Sequence, residues 1–309
     1  MAWRTVMIQN PAKLSLSRGQ LRLENESGDF TLPVEDITAL ILESPQILLS
    51  STLLSECQDQ GVAVLTCDKT HIPNGVLLPF QPHSRQSRVA RIQQSWSEPL
   101  RKRLWQRVVQ CKILGQAACL DCATGDEQVS ARIKALALRV ASGDPDNIEA
   151  QAARLYWPLL FGPEFRRGGH DAINAALNYG YAVTRAFVAR SQVAYGLLPA
   201  FGIHHDNDLN AFNLTDDMME VFRPFVDQMV HGLRESGALD PKAESLPSDL
   251  RAKLADIGNA RCRIEGQIQT IATACDKIAA SLVTAIEGKS AALLSLPEQP
   301  GSRESRAVA

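Results

Sequence analysis

The chain has 309 residues, 45% of them apolar and 21% charged, the composition of an ordinary globular protein with room for one large core or two smaller ones. Its 32 Lys and Arg are outnumbered by 34 Asp and Glu, which excludes a global basic field. Any affinity for nucleic acid has to come from local clusters. No apolar run approaches the length that spans a bilayer, and Met1–Asn10 holds no signal-peptide core, so the expected location is the cytoplasm.

Residues 1–80 read as β-rich. Thr5–Gln9, Lys13–Ser17 and Gln20–Glu24 are short runs, and the last two alternate polar with apolar as half-buried strands do. Arg18-Gly19 between them suits a tight hairpin. Asp29–Pro33 and Ile37–Leu42 continue the series, Ser51–Gln60 reads as a helix closed by Gly61, and Val62–Cys67 and Val76–Leu78 are further strands. After Pro79 and Pro82 the pattern turns helical. Leu100, Leu104, Val108, Cys111, Gly115, Ala118 and Cys122 recur at three- and four-residue steps. Further helices are expected near 128–141, 148–159, 172–195, 216–234 and 266–287. The expected architecture is α+β: a small β-rich domain over 1–80, a larger all-helical catalytic domain over 81–297, and a polar tail over 298–309. Of seven cysteines, only Cys119 and Cys122 form a Cys-x-x-Cys pair. They fall within a helical pattern with no second pair to complete a zinc site, and read as buried apolar residues.

Three spots carry acids or histidines in suggestive company. Asn147 can cap a helix and puts Glu149 in its first turn, where an acid also simply complements the helix dipole. His204 and His205 lie in a link between helices, flanked by Gly202 and Asp206, and adjacent side chains need not face the same ion. In the third, Met218, Phe222, Phe225 and Val226 form an apolar stripe, with Glu220, Arg223 and Asp227 on the opposite side, either solvated or functional. Pro224 should kink or locally interrupt that helix. Glu149, His205 and Glu220 together would offer two carboxylates and an imidazole. The carboxylates suit Mg2+ and Mn2+, and the imidazole tips the preference toward Mn2+. A basic stretch, Arg85, Arg88, Arg91, Arg101, Lys102, Arg103, Arg107 and Lys112, carries one acid, Glu98, and has Trp96 and Trp105 interleaved. Either it meets DNA phosphates or it is a solvated helix face; Arg166 and Arg167 form a second basic loop of the same kind.

Asn147-x-Glu149-Ala-x-Ala-Ala-Arg154-x-Tyr156-Trp157, Asp171-x-x-Asn174-Ala-x-Leu177-Asn178-Tyr179-Gly180-Tyr181, Gly196-Leu-x-Pro199, Gly202-x-x-His205 and Asp217-x-x-Glu220-x-Phe-Arg223-Pro224 follow one another in this order. Together they resemble the CRISPR-associated integrase of spacer acquisition, the Cas-one family. Cys67-Asp68-Lys69 and Pro73-Asn74-Gly75-x-x-x-Pro79 are similar to its type II branch, whose systems carry Cas-nine. The resemblance implies a β-domain that forms a homodimer and a helical domain with one metal site per subunit. By motif position the ligands are Glu149, His205 and Glu220, with His204 a rival to His205 and Asp217 either a further ligand or a residue that orients one. The implied reaction joins a short DNA fragment to a repeat array: its 3′-hydroxyl attacks a phosphodiester at the repeat boundary, with Mg2+ or Mn2+ as cofactor. A small protein, Cas-two, is the implied partner, bridging two dimers on the DNA. Two rival readings are a metal-dependent nuclease that hydrolyses DNA or RNA with water, and a non-catalytic DNA-binding scaffold.

Overall fold

A computed structural model describes residues 4–80, 83–243 and 245–299. Its first part comprises β1 (Arg4–Ile8), β2 (Ala12–Ser17), β3 (Gln20–Asn25), β4 (Gly28–Pro33), β5 (Ile37–Leu42), β6 (Ile47–Leu49), α1 (Ser51–Asp59), β7 (Ala63–Cys67) and β8 (Pro73–Leu77). These strands make two four-stranded sheets. One runs β1-β5-β7-β8, parallel except for β8; the other runs β4-β3-β2-β6, antiparallel except where β6 joins β2. The hairpin expected at Arg18-Gly19 forms, with φ of 53° and 75°, the doubly positive turn that matches strand twist.

Strand β5, Ile-Thr-Ala-Leu-Ile-Leu, is buried at every position, because its sheet is covered on both faces. Leu40, Leu42 and Val64 point to the second sheet, against Leu14, Leu21 and Leu53. Ala39, Ile41, Ala63 and Leu65 point the other way and join the core of the helical part. The period of two thus seats one sheet between another sheet and a helical layer.

That layer contains α2 (Gln86–Gln94), α3 (Glu98–Thr124), α4 (Glu127–Ala137), α5 (Ile148–Phe161), α6 (Ala172–Ala194), α7 (Asn213–Met219), α8 (Arg223–Glu235), α9 (Ser248–Ala255) and α10 (Ile271–Glu287). It is not wholly helical. Arg261–Ile264 (β9) and Gln267–Thr270 (β10) form an antiparallel hairpin, so α10 begins later than its periodicity suggests. The signal for it was Glu265-Gly266, both at positive φ, a turn pair hidden between strands too short to show alternation. Glu298 pairs with Arg263 beside this hairpin, so the polar tail starts from a fixed anchor, and residues 300–309 lie outside the described part. At Pro224 the helical segment is interrupted, not kinked. Glu220–Phe222 form a 3-10 turn after α7, and Pro224 sits in the first turn of the new helix α8, where a missing N–H costs nothing.

Helices α3 and α6 are the spine of the layer. Most of α6 is buried, and it approaches α8 closely because Gly180 has no Cβ; one placed there would lie 2.5 Å from Val226 Cγ1. The sheets are tied to this layer by polar contacts at their edge. Buried Glu43, just after β5, pairs with Arg251 of α9, while Gln9 Nε2 donates to Glu43 at 3.2 Å and to Ser248 O at 2.9 Å. Among the described residues, no helix is long and apolar enough to cross a membrane.

Candidate active site

Glu149 is held by the way α5 starts. Asp144 and Asn147, both at φ 49°, turn the chain into the helix. The Asp144 carboxylate accepts from Ile148 N at 2.8 Å and Glu149 N at 3.0 Å, and Asn147 Oδ1 accepts from Ala150 N. Amides that a helix start leaves without partners are thereby satisfied, fixing the turn that carries Glu149. The cap predicted at Asn147 is present; the second cap, Asp144, was not foreseen.

His205 sits in a loop folded around one carboxylate. Asp217, fully buried on α7, accepts from Ile203 N at 2.5 Å, His204 N at 2.9 Å, His205 N at 3.1 Å and the His205 Nδ1 side at 2.6 Å. With this hydrogen bond first and burial opposing it, the imidazole pKa is raised above its ordinary value. Of the two roles sequence allowed Asp217, the geometry matches the orienting one, because its oxygens are occupied by the loop. Gly202 is required there: a Cβ would stand 2.2 Å from His205 O. From α3, Trp105 stacks flat on His204 with centroids 4.3 Å apart and meets His205 edge-on at 6.0 Å. His204 is thus engaged by a ring face. Arg101 Nε donates to Ile203 O at 3.0 Å, and buried Gln93 bonds Leu198 and Phe201, so α2 and α3 brace the loop.

Glu220, on the 3-10 turn, meets Glu149 through a lysine. Lys112 Nζ on α3 donates to Glu149 Oε1 at 2.5 Å and lies 2.5 Å from Glu220 Oε2. The second contact is a buried ion pair. Arg223 Nε takes the other oxygen of Glu220 at 2.7 Å, and its guanidinium covers the Tyr181 ring at 4.5 Å. Burial alone would raise the Glu220 pKa; Lys112 and Arg223 overcome it and bring it down to about 2. Burial likewise opposes the charge of Lys112, but Glu220 and Glu149 win and raise its pKa. Behind this cluster, Tyr156 and Tyr181 both donate to buried Asp227, whose pKa burial pushes up to about 6.

Glu149 and Glu220 are therefore brought to one point, and Glu220 adds, after Asp217, to the charges that raise the His205 pKa. No three His, Cys, Asp or Glu residues among those described are gathered tightly enough to hold a metal, and Lys112 lies between the two carboxylates. Lys112 was read as part of a basic stretch. The signal against that was its position: Trp105, Val108, Val109, Lys112 and Gln116 share one buried face of α3, so this lysine falls on the apolar stripe.

The other basic residues divide. Arg88 pairs with Glu287 at 3.0 Å and Lys102 with Glu98 at 2.6 Å; Arg107 donates to Leu294 O. Arg166 closes its own loop through Pro163 O and Phe165 O, and Arg167 bonds Asn174 and Asn178. Arg85, Arg91 and Arg103 are exposed, and no ion pair among the described residues engages them.

Residues 6–248 match the family model described as "CRISPR associated protein Cas1". The chain is 43% identical over 298 residues to the CRISPR-associated endonuclease Cas1 of Neisseria meningitidis serogroup C (strain 8013), covering 96% of this chain and 97% of that one. Among solved structures, a casposase bound to integration product superposes with a TM-score of 0.75 at 17% identity, covering 93% of this chain and 91% of that one. A chain of a Cas6-RT-Cas1–Cas2 complex gives 0.72 at 16% identity, covering 94% of this chain and 36% of that one. A family model matched over most of the chain and a relative this similar over nearly its whole length show that this chain belongs to the CRISPR-associated Cas1 family.

Proposed function

We propose that this protein is a metal-dependent DNA integrase that joins short DNA fragments into a CRISPR repeat array by transesterification. The observation that carries the reading is the convergence of Glu149 and Glu220 on a single cation, beside a histidine whose Nδ1 is fixed by Asp217. The donor types suit a divalent ion: the carboxylate oxygens are hard, and His205, with Nδ1 engaged by Asp217, keeps Nε2 for a ligand role. Mg2+ or Mn2+ held by Glu149, His205 and Glu220 would supply Lewis-acid stabilisation of charge developing at phosphorus. The chain's own groups do the rest. Arg223 keeps Glu220 ionised and aimed, Asp217 holds the imidazole, and Trp105 walls the loop. No protein nucleophile is needed, since the attacking group is a DNA 3′-hydroxyl.

The family assignment and the casposase that shares the fold support joining over plain hydrolysis, while the curated Neisseria relative's name, endonuclease, keeps hydrolysis by water as the second reading. A labelled fragment with free 3′-hydroxyls, incubated with a repeat-bearing plasmid and Mn2+ or Mg2+, separates them. Strands joined at a repeat boundary, lost with a chelator, are expected; fragments alone would leave the nuclease reading. The proposal includes a homodimer through the β-rich part, a Cas2 partner, as in the complex that shares the fold, and a type II context with Cas9.

The DNA path is proposed along Arg85, Arg91 and Arg103. Replacing Arg91 and Arg103 together with alanine should weaken binding of a labelled duplex and flatten log Kd against log salt by about 2, roughly one per lost phosphate contact. Arg101→Ala should instead impair joining more than binding, because it frees Ile203 O and with it the His205 loop. An unchanged salt slope in the double variant would move the path elsewhere.

A further inference from the structure

Burying a lysine is costly unless its charge is matched. The Lys112 side chain is 11% exposed and that of Glu220 7%, and the ammonium lies 2.5 Å from one oxygen of each of two glutamates on different elements. We infer that Lys112 is an internal cation that closes the Glu149–Glu220 pair in the metal-free protein and must release both carboxylates before a divalent ion can bind them. This rests on the reading above that the pair belongs to the metal site.

The argument is one of charge and reach. Glu149 and Glu220 carry two negative charges, Lys112 and Arg223 two positive ones, so the cluster is neutral as it stands. Arg223 approaches only the outer oxygen of Glu220 and also lies over Tyr181. Among the described residues, Lys112 alone bridges the two acids. An ion bound to the same two oxygens at about 2.1 Å would lie within about 5 Å of an Nζ still in place. Three positive charges that close in a largely buried pocket repel strongly, and the oxygens that hold the lysine are those the ion needs. Lysine suits such an exchange, because its ammonium is a point charge on a flexible stem, whereas a guanidinium would fix its partners by a rigid fork.

Two consequences follow for the free protein. The carboxylates stay together without metal, so the site is preformed. Its affinity for metal is also held down, because each binding event has to break a buried ion pair.

The test compares the full chain with Lys112→Met, which keeps the stem and removes the charge, by calorimetric Mn2+ titration and by thermal melting in chelator and in Mn2+. Lys112→Met is expected to bind Mn2+ at least tenfold more tightly than wild type. It should melt lower in chelator and gain more from Mn2+ than wild type does. Lys112→Gln, which keeps a polar head, should move the same way and serves if the methionine variant is unstable in chelator. Equal or weaker Mn2+ binding by the folded lysine variants would overturn the inference. Glu149→Gln separates the two levels. If it loses Mn2+ while the lysine variants fail to gain, the metal reading stands and this inference falls. If it binds Mn2+ as wild type does, both fall.

Discussion

Asp217→Ala should damage the protein more than removing His205 itself. The Asp217 carboxylate is fully buried and holds three successive backbone amides and an imidazole. Without it those donors lose their shared acceptor, which is itself fully buried. Breaking a buried, charged arrangement of this kind costs about 3–5 kcal/mol, against a total stability of about 5–15 kcal/mol for a folded protein. The expected result is a melting temperature lowered by several degrees together with loss of DNA joining. His205→Ala, by contrast, removes a side chain that is 46% exposed, so it should melt near wild type while losing joining. Asp217→Asn keeps the shape but turns an NH2 toward donors, and should fall between. An Asp217→Ala protein that melts like wild type would show that the loop is held by something else.

The second large effect is a pattern among variants. Glu149→Gln, His205→Ala and Glu220→Gln should each lower joining on the order of 10³-fold or more, and any two together should be scarcely worse than one. Groups that hold one ion fail together, whereas independent contributions multiply. Glu220→Gln also leaves Lys112 and Arg223 facing a neutral amide, so its rate has to be normalised to folded protein. His204→Ala is the contrast: its ring lies flat on Trp105, and its loss should cost far less. Multiplicative losses in the double variants would sink the shared-ion reading.

Much of the fold is legible in the sequence because simple periods govern it. Alternation gives the first strands, the three-and-four spacing gives α3, and Arg18-Gly19 announces its hairpin. What escapes is whatever depends on contacts between distant segments. The hairpin of β9 and β10 is four residues a side, too short for a period to register. Arg101 and Lys102 are adjacent and chemically alike, yet one braces a loop a hundred residues on and the other pairs with Glu98 on its own helix. Glu149 in isolation is an ordinary first-turn acid; its significance comes from Glu220, reached across α3. Lys112 is hardest to see, because a basic stretch around it invites a surface role that its place on the buried face contradicts.

The pairing of Glu43 with Arg251 bears on the order in which the molecule is completed. The partners are 208 residues apart, so the carboxylate at the end of β5 is made long before the guanidinium that neutralises it. At about 5–20 residues per second, that interval is roughly 10–40 seconds of synthesis. Throughout it, the two sheets can pair strands and fill the space between them, since Leu14, Leu21, Leu40 and Leu53 all come from the opening segments. Their other face, around Ala39 and Ile41, has to wait for the helices. While it waits, Glu43 keeps a charge at the margin of that bare face and favours water over premature contact with other chains. The arrival of α9 removes that charge from solvent and closes the seam.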